Sequence, residues 1–402
     1  MQTVQLELTE PVTVTLAPPQ IRHWGPYQFP GLERLPDGSI RVGFQVGADS
    51  ATAVGLPPMQ AVSSDEGRSW AVLPLAQDAT GAVSCTQPPL RLSNGERIQI
   101  KMLPALPASM VSLPATPAGA FTCYGHARTF YRPEHLSPEA RDGWHLYRFA
   151  GDDAPPLEER ATMRLPGELR VVTEGVLPRP WGTGHRLLRA PDDTVWAIGN
   201  DCRMVDRQFR EKMAVTILRS TDHRHLFDYW AEIPYEPDPA ADPQAAVRAG
   251  FTEPCIHFMP DGSVFCLLRT TDGNGVDPLY WARSTDNGRT WTKPAVFEEL
   301  GVWPQMLTLK NGVTLATYGR HGLYVRATSD PSGLAWDARV AVVPPGDYQK
   351  DTCSYSALLP LSDDTALIAY SEFNLPDPDG RPCKGIRVRR ISATGLAGYL
   401  NH

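Results

Sequence analysis

Basic residues are too few in this 402-residue chain to balance the acidic ones, since 38 Lys and Arg stand against 45 Asp and Glu for a formal net charge of −7. Because proteins bind nucleic acid through a basic surface, this charge argues against a nucleic-acid partner. Apolar runs of membrane-spanning length are also missing, so we expect no membrane association. The first residues, MQTVQLELTEPVTVTL, include acidic side chains and no basic-then-apolar signal sequence, and they predict a cytoplasmic protein.

The patterns that indicate metal or cofactor binding are absent as well. Seven cysteines occur at irregular spacings and none forms a C-x-x-C pair, which favours buried free thiols in a reducing compartment over a disulfide framework. No H-E-x-x-H motif or close Cys/His cluster indicates zinc, and no Gly-rich loop indicates a phosphate site. We therefore expect neither a metal nor a cofactor.

Long helical patterns are nearly absent, and short apolar strands joined by turn dipeptides take their place. Six segments have the order apolar strand, Asp-Gly, Asn-Gly or Asp-Asp turn, apolar strand. They are LERLPDGSIRVGF from Leu32, PLRLSNGERIQI from Pro89, HRLLRAPDDTVWAI from His185, CIHFMPDGSVFCLL from Cys255, QMLTLKNGVTLATY from Gln305 and ALLPLSDDTALIAY from Ala357. Further strands follow the hairpins, and VQLEL near the start and GIRVRRI near the end remain to close a ring. Four-stranded antiparallel units repeated around a ring form a β-propeller, and a β-sandwich is the alternative.

A second repeated element is the turn Ser-x-Asp-x-Gly-x-x-Trp, which occurs as SSDEGRSW at Ser63–Trp70 and as STDNGRTW at Ser284–Trp291. Weaker copies are STDHRHLF from Ser220 and SDPSGLAW from Ser329. The Asp side chain accepts hydrogen bonds from backbone N–H groups of the turn, the Gly allows positive φ, and the Trp anchors the turn on apolar neighbours. Each copy falls between the third and fourth strands of a unit, so we expect these turns at outer corners of the sheets.

The Ser-x-Asp-x-Gly-x-x-Trp turn is known as an Asp box. Asp boxes in a six-unit β repeat resemble the sialidase (neuraminidase) superfamily, and the resemblance covers essentially the whole chain. It implies an all-β fold, a six-bladed β-propeller of four-stranded antiparallel blades, with residues 1–402 as one domain. In that superfamily the Asp boxes are structural, so Asp65 and Asp286 are not expected to be catalytic.

The longest gap between hairpins, residues 103–181, is rich in His, Arg and aromatic residues. Connections of this length in a compact domain are usually either functional or disordered. We interpret the segment as an insertion between the second and third blades that lies over the pocket and contributes His126 or Arg128 to it.

Candidate pocket residues follow from an alignment of the six hairpins on their turns, because the innermost strand of each propeller blade starts near the central channel. The alignment places six residues at one equivalent position: Phe29, Thr86, Gly184, Glu253, Trp303 and Tyr355. Their neighbours include Gln28, Gln87, His185 and Ser354. A glutamate and a phenol in one ring, beside amides and an imidazole, indicate a site for a polar ligand. For Glu253 taken alone, the alternative is a cap on a strand end.

The resemblance also implies roles for these residues. Retaining sialidases use a Tyr nucleophile with a Glu base, so Tyr355 in CSYSALLPL and Glu253 in TEPCIHFMPDG are expected to form that pair. Asp49 falls where the superfamily has its acid/base, and Arg269 and Arg326 fall where it has substrate-binding arginines. The other expected substrate-binding residues are Arg320, His185, Gln87, Trp303 and Gln28.

One stretch departs from the superfamily pattern. Sialidases begin the first blade with Phe/Tyr-Arg-Ile-Pro, and the Arg is one of three that hold the sialic acid carboxylate, whereas this chain has YQFP with Gln28 at that position. An amide does not replace a bidentate Arg–carboxylate contact. The resemblance implies an exo-glycoside hydrolase whose carbohydrate substrate ends in an acidic sugar. The departure at Gln28 predicts poor activity on ordinary sialosides and better turnover of a terminal sugar whose acidic group is smaller, displaced or absent.

Two other functions remain open from the sequence. A propeller polysaccharide lyase would use Tyr and His to abstract a proton beside a uronate and would give a product that absorbs ultraviolet light. A non-catalytic glycan-binding propeller would need no reacting geometry among the ring residues.

Overall fold

The computed structural model describes residues 3–51, 58–74, 88–101, 103–123, 125–141, 144–151, 155–179, 186–222, 225–270, 277–346 and 350–395. Within these residues helix is confined to α1 (Pro138–Arg141), to 3-10 turns at Ala108–Met110, Pro133–His135 and Ala245–Val247, and to Ala51, which has 3-10 conformation. None of the described helices has the length and apolar character needed to cross a membrane.

Strands make up most of the regular structure, as the apolar segments and turn dipeptides predict. The first sixteen are β1 (Val4–Leu8), β2 (Val12–Leu16), β3 (Gly31–Arg34), β4 (Ile40–Phe44), β5 (Met59–Ser63), β6 (Ala71–Val72), β7 (Leu90–Arg91), β8 (Arg97–Lys101), β9 (Leu103–Pro107), β10 (Gly119–Cys123), β11 (His126–Tyr131), β12 (His145–Phe149), β13 (Leu157–Arg160), β14 (Thr162–Arg164), β15 (Arg170–Thr173) and β16 (Val176–Arg179). The others are β17 (Arg186–Arg189), β18 (Val195–Asp201), β19 (Met204–Val205), β20 (Gln208–Phe209), β21 (Ala214–Ser220), β22 (Leu226–Ile233), β23 (Phe251–Phe258), β24 (Val264–Thr270), β25 (Leu279–Ser284), β26 (Ala295–Glu298), β27 (Val302–Thr308), β28 (Thr314–Gly319), β29 (Leu323–Thr328), β30 (Val340–Val343), β31 (Ser356–Pro360), β32 (Thr365–Pro376) and β33 (Pro382–Gly395).

Six of the sheets in the described part of the chain follow one another in chain order. Sheet 1 contains β3 to β6, sheet 4 contains β23 to β26, and sheet 5 contains β27 to β30, with each strand antiparallel to the next. Sheet 2 has the order β7-β8-β12-β13, and sheet 3 has the order β17-β18-β21-β22 with β14 parallel to β22. Sheet 6 contains β31, β32 and β33, and both β1 and β2 pair with β33. The VQLEL and GIRVRRI strands therefore lie together in one sheet.

Neighbouring sheets pack face to face with apolar cores between them. Separate cores join sheets 2 and 3, 3 and 4, 4 and 5, 5 and 6, and 6 and 1. Sheets 1 and 2 are connected by an ion pair between Glu33 and Arg97, whose charged atoms lie 3.6 Å apart. The sheets therefore surround a common axis, and the all-β propeller that the sequence predicts is confirmed.

The segment 103–181 is organised differently from the single insertion that we expect from the sequence. Its strands β12 and β13 complete sheet 2 and β14 joins sheet 3, whereas β9, β10, β11, β15 and β16 form a separate five-stranded sheet, here named the inserted sheet. The β15–β16 turn is Glu174-Gly175 rather than the Asn-Gly or Asp-Gly that marks a hairpin in a sequence. The pattern of turns therefore did not separate these strands.

The repeated Asp turns lie between third and fourth strands and are held by local hydrogen bonds. Asp65 Oδ1 accepts from two backbone N–H groups at 3.0 and 2.8 Å, and Asp286 Oδ1 accepts the equivalent pair at 3.1 and 2.9 Å. The hydroxyl four residues after each Asp, that of Ser69 or Thr290, donates to its carboxyl and is the largest cause of a lowered pKa. The pKa of Asp286 falls to about 2. Trp70 and Trp291 pack against cores between sheets, so these turns stabilise the fold.

Candidate active site

A residue with positive φ lies within two residues of the start of the first strand in four of the described sheets. The φ angle is 55° at Phe29, 44° at Glu253, 44° at Trp303 and 64° at Ser354. The β23–β24 and β27–β28 pairings shift register at this point, which is a bulge that re-aims a side chain. The predicted equivalence holds for Phe29, Glu253 and Trp303, whereas in sheet 6 the equivalent residue is Ser354 and Tyr355 follows it.

Glu253, Tyr355 and Arg269 form a hydrogen-bonded cluster that connects sheets 4 and 6. The Tyr355 hydroxyl donates to Glu253 Oε1. Arg269 Nη1 donates to the same carboxylate oxygen at 2.6 Å and to the Tyr355 hydroxyl oxygen at 3.1 Å. The Trp303 backbone N–H donates to Glu253 Oε2 at 2.9 Å. The phenol is therefore in direct contact with a carboxylate whose two oxygens both have donors.

The surroundings of Glu253 keep its carboxyl ionised. Burial alone would raise the pKa, but the Arg269 charge and hydrogen bonds from Arg269, Tyr355 and the Trp303 N–H outweigh burial and hold the pKa below its ordinary value. A carboxylate that remains charged at mildly acidic pH is able to act as a base or as a nucleophile.

Aromatic contacts hold the Tyr355 ring in place. The Trp303 ring stacks on it with centroids 4.9 Å apart and planes inclined by 20°, and Phe29 meets it edge-on at 4.7 Å. The Arg186 guanidinium lies 4.3 Å from the Trp303 centroid and donates to the Pro304 carbonyl at 3.1 Å. Because Tyr355 covers one face of the indole, Arg186 covers the other. The direction of the phenol is thus set by packing as well as by hydrogen bonds.

Asp49 lies on the loop after β4, and the Trp24 indole N–H donates to its Oδ2 at 2.9 Å. The residue is exposed, yet protein atoms crowd its carboxyl, and this desolvation is the largest cause of a raised pKa. The charge of Glu253 raises the pKa further, while the Trp24 hydrogen bond and the charges of Arg320 and Arg269 oppose the rise. Asp49 and Glu253 therefore have pKa values displaced in opposite directions, which is typical of an acid and a base that work together.

A cavity of about 310 Å³ lies beside this cluster. Its lining includes Asp49, Glu253, Trp303, Asn200, Arg186 and Arg128. Arg128 belongs to β11, so the inserted sheet supplies a residue to the cavity, whereas His126 is half exposed and its Nδ1 lies 4.0 Å from Glu174. Ligand sites span about 300–1,000 Å³. The cavity is at the small end of that range and suits a short ligand.

Arg326 does not lie in this cluster, and the expectation that it binds substrate is corrected by its contacts. Its guanidinium donates to Glu298 Oε1 at 3.0 Å and to the carbonyls of Asp337 and Trp336 at 2.7 and 3.0 Å. Arg326 lies in β29, the third strand of sheet 5, and its partners belong to β26 and to the turn that follows β29. Its side chain therefore joins outer strands instead of reaching the first strands.

Arg320 takes the place in sheet 5 that Arg269 has in sheet 4. Arg269 is near the end of β24 and Arg320 directly follows β28, which are the second strands of their sheets. The Arg320 guanidinium lies 5.0 Å from the Trp24 ring and 5.8 Å from the Tyr355 ring, and it donates to the Cys353 carbonyl at 2.8 Å. Of the two predicted positions in sheet 5, Arg320 is the one beside the cluster.

The remaining predicted site residues are Gln28, Gln87 and His185. Gln28 is fully buried and its Oε1 accepts from the Gly25 N–H at 3.2 Å, so it supports the loop near Trp24. Gln87 and His185 lie outside the described residues, as do Thr86 and Gly184 of the equivalent-position set. Their predicted roles stay predictions.

Sequence reasoning missed Trp24, Arg186 and Asn200. Trp24 lies 25 residues before its partner Asp49, and no motif connects the two. Arg186 lies two residues after the aligned Gly184, so it is outside the immediate neighbours that the alignment considers. Asn200 Oδ1 accepts from the Glu253 N–H at 3.3 Å and belongs to the second strand of sheet 3. Within the described ranges, no group of three or more His, Cys, Asp and Glu side chains is placed to hold a metal.

Comparisons with known proteins find similarity in structure. No protein-family model matches the sequence, and no curated protein matches it. A protein of unknown function from Dyadobacter fermentans is 17% identical with a TM-score of 0.64, and the match covers 97% of this chain and 99% of that one. A Penicillium chrysogenum alpha-L-arabinanase, solved with arabinobiose, is 14% identical with a TM-score of 0.51 over 94% of this chain and 98% of that one. The NanB sialidase of Streptococcus pneumoniae is 11% identical with a TM-score of 0.50 over 95% and 70%. The chain thus shares its β-propeller fold with glycoside hydrolases.

Proposed function

We propose that the protein is a glycoside hydrolase that releases a terminal sugar, with its six sheets as the blades of the propeller. The observation that carries the proposal is the direct hydrogen bond from the Tyr355 hydroxyl to Glu253, with Arg269 bonded to both, beside a cavity that Asp49 also lines. The arabinanase and sialidase folds that resemble this chain belong to enzymes that cleave glycosidic bonds, which supports the same reaction class.

In the proposed reaction Tyr355 is the nucleophile. Its oxygen attacks the anomeric carbon while Glu253 accepts the phenolic proton, and the glycosidic C–O bond breaks as Asp49 protonates the leaving oxygen. In the second step Asp49 takes a proton from water, the water oxygen attacks the anomeric carbon, and the bond to Tyr355 breaks as Glu253 returns the proton. The configuration at the anomeric carbon is retained, because it is inverted twice.

The two displaced pKa values set the expected pH dependence. The pKa of Asp49 is raised by desolvation of its carboxyl, so Asp49 keeps its proton to a higher pH than an ordinary carboxyl and is able to act as an acid. The pKa of Glu253 is lowered by Arg269 against the effect of burial, so Glu253 stays ionised as the pH falls. We expect a bell-shaped profile of kcat/KM in which the acidic limb reports Glu253 and the alkaline limb reports Asp49.

The substrate is proposed to be a sugar whose acidic group is smaller than that of sialic acid, displaced from it or absent. Gln28 is buried, Arg326 is bonded to Glu298, and Arg269 is paired with Glu253, so these three residues do not form a carboxylate clamp. A panel of 4-nitrophenyl glycosides that includes a sialoside, uronides, an α-L-arabinofuranoside and neutral hexosides tests this point. Efficient hydrolysis of the sialoside contradicts it, and an ultraviolet-absorbing product from a uronide-containing glycan indicates a lyase instead.

A second mechanism is favoured by one observation. Glu253 itself lines the cavity, and its carboxylate accepts hydrogen bonds from three donors. This setting also suits a carboxylate nucleophile that Tyr355 and Arg269 hold in place. In that mechanism Glu253 attacks the anomeric carbon and Tyr355 keeps its proton.

Tyr355→Phe tests the proposal on the glycoside that the panel identifies. Attack by a phenol requires the hydroxyl, so we expect kcat to fall by about 10³-fold or more. We expect the fold to stay intact, because the ring contacts with Trp303 and Phe29 and the Arg269–Glu253 pair remain. The matched control is Tyr229→Phe in sheet 3. It removes a hydroxyl that accepts a hydrogen bond from Arg203, and we expect it to leave kcat unchanged. A kcat within about tenfold of the wild type in Tyr355→Phe would refute the Tyr nucleophile.

A further inference from the structure

The β15–β16 turn of the inserted sheet has an unusual first residue. Glu174 and Gly175 form a two-residue hairpin loop in which both φ angles are positive, at 51° and 74°. Such a loop favours Asn, Asp or Gly at its first position, because a longer side chain is disfavoured in the left-handed region. The conformation of the turn therefore does not by itself account for a glutamate at this position.

The Glu174 carboxylate reaches the loop that carries Asp49. Its Oε2 accepts a hydrogen bond from the Ala51 N–H at 3.0 Å, two residues after Asp49. The side chain is one-quarter exposed, and His126 Nδ1 lies 4.0 Å from its other oxygen. The contact joins residues 123 positions apart in the sequence, so it forms only in the folded protein.

The neighbouring contacts place this end of the inserted sheet against the cavity. Strand β11 pairs with β15 so that Arg128 is opposite Thr173, the residue before Glu174, and Arg128 lines the cavity together with Asp49. On the other side of the loop, Gln45 Nε2 donates to the carbonyls of Gly47 and Ala48 at 3.1 and 3.0 Å. Asp49 thus lies between a segment held by Gln45 and a residue held by Glu174.

We propose that Glu174 is a positioning residue that holds Ala51 and thereby fixes the Asp49 carboxyl where the leaving oxygen of the substrate lies. The inference rests on the proposed function, in which Asp49 is the acid. The inserted sheet would then contribute to proton transfer to the leaving group through the Ala51–Glu174 hydrogen bond. This bond requires an acceptor oxygen at the position of the Glu174 carboxylate, and it does not require a negative charge.

The test uses three variants and two substrates of the sugar that the panel identifies. Glu174→Ala removes the acceptor, Glu174→Gln keeps an acceptor oxygen at the same reach, and Glu134→Gln changes an exposed glutamate elsewhere in the same segment. A phenyl glycoside needs acid catalysis for departure of its leaving group, whereas a 2,4-dinitrophenyl glycoside needs little. Hydrogen–deuterium exchange of peptides covering 45–51 measures the Ala51 contact without reference to activity.

In Glu174→Ala we expect kcat to fall by about tenfold on the phenyl glycoside, with KM within about twofold, and to change by less than about threefold on the dinitrophenyl glycoside. We expect Glu174→Gln and Glu134→Gln to stay within about threefold on both substrates. Faster exchange in residues 45–51 is expected only in Glu174→Ala.

Four results would overturn the inference. They are an unchanged kcat in Glu174→Ala, an equal loss on both substrates, a loss in Glu174→Gln as large as in Glu174→Ala, and unchanged exchange. If exchange in residues 45–51 became faster in Glu174→Ala but the wild type hydrolysed none of the glycosides, the Ala51–Glu174 contact would be supported and its catalytic role would be refuted. The absence of hydrolysis would refute the proposed function separately.

Discussion

Replacement of Gly25 by alanine should displace the Asp49 loop directly. Gly25 has a φ of 117°, and a Cβ atom there would lie 2.4 Å from the Asp49 backbone nitrogen and 2.5 Å from the Gly47 carbonyl oxygen. Ordinary contacts of a Cβ atom begin at 3.4 Å, so the loop has to move by about 1 Å. The obstructing atoms belong to the backbone, and no side-chain rotation relieves the contact.

The size of the effect follows from this displacement. A misplacement of about 1 Å costs about 10²-fold in rate when it moves a catalytic group. The left-handed conformation adds a cost of about 1–2 kcal/mol to folding, which is independent of the clash. We therefore expect Gly25→Ala to lower kcat by about 10²-fold on a phenyl glycoside and by much less on a 2,4-dinitrophenyl glycoside, since Asp49 is needed chiefly for the poorer leaving group.

Gly38→Ala provides the matched control. Gly38 has a φ of 87°, and a Cβ atom there meets nothing within 4 Å, so this variant carries the conformational cost without the clash. The assay is steady-state hydrolysis of the two glycosides by both variants, together with their melting temperatures. If Gly25→Ala retained wild-type kcat on the phenyl glycoside, or lost equally on both substrates, Asp49 would not be the acid held by this loop.

Two further predictions concern stability. Arg326→Met leaves Glu298 paired with Arg339 and removes the hydrogen bonds to two carbonyls, so the free energy of unfolding in urea should fall by about 2–4 kcal/mol while kcat stays unchanged. A loss of kcat with unchanged stability would contradict the structural role of Arg326. Burial lowers the pKa of His257 to about 4 from 6.5. Because the unfolded chain binds that proton first, stability should fall as the pH drops from 6.5 to 4, by up to about 3 kcal/mol, and this part of the pH dependence should disappear in His257→Gln.

The fold was predictable because its signals are local. Asp-Gly and Asn-Gly dipeptides between apolar strands determine hairpins within a few residues, and aligning those hairpins brought Glu253, Trp303 and Phe29 to one position. The inserted sheet was not separated, since its β15–β16 turn uses Glu174-Gly175. In addition, β12, β13 and β14, which lie between its strands in the sequence, belong to sheets 2 and 3.

The site was predictable only where a residue adjoins a hairpin strand. Glu253 and Arg269 lie on two paired strands of one hairpin, so their contact follows from local pairing. Arg326 was misplaced because β28 is followed by an arginine and β29 contains one, and the sequence does not show which of the two lies near the cavity. The packing shows that Arg320, after the second strand of sheet 5, is the arginine near Tyr355, whereas Arg326 is bonded to Glu298. The contact of Trp24 with Asp49 depends on how two loops meet, which no strand pattern encodes.

Identification of the residue that carries the sugar in the covalent intermediate tests the central claim most directly. A fluorinated glycosyl fluoride of the sugar that the panel identifies slows hydrolysis of the intermediate, and peptide mass spectrometry locates the attached sugar. We predict attachment to Tyr355 in the wild type and no attachment in Tyr355→Phe. A sugar attached to Glu253, or an enzyme that turns over substrate with no covalent intermediate, would contradict the account.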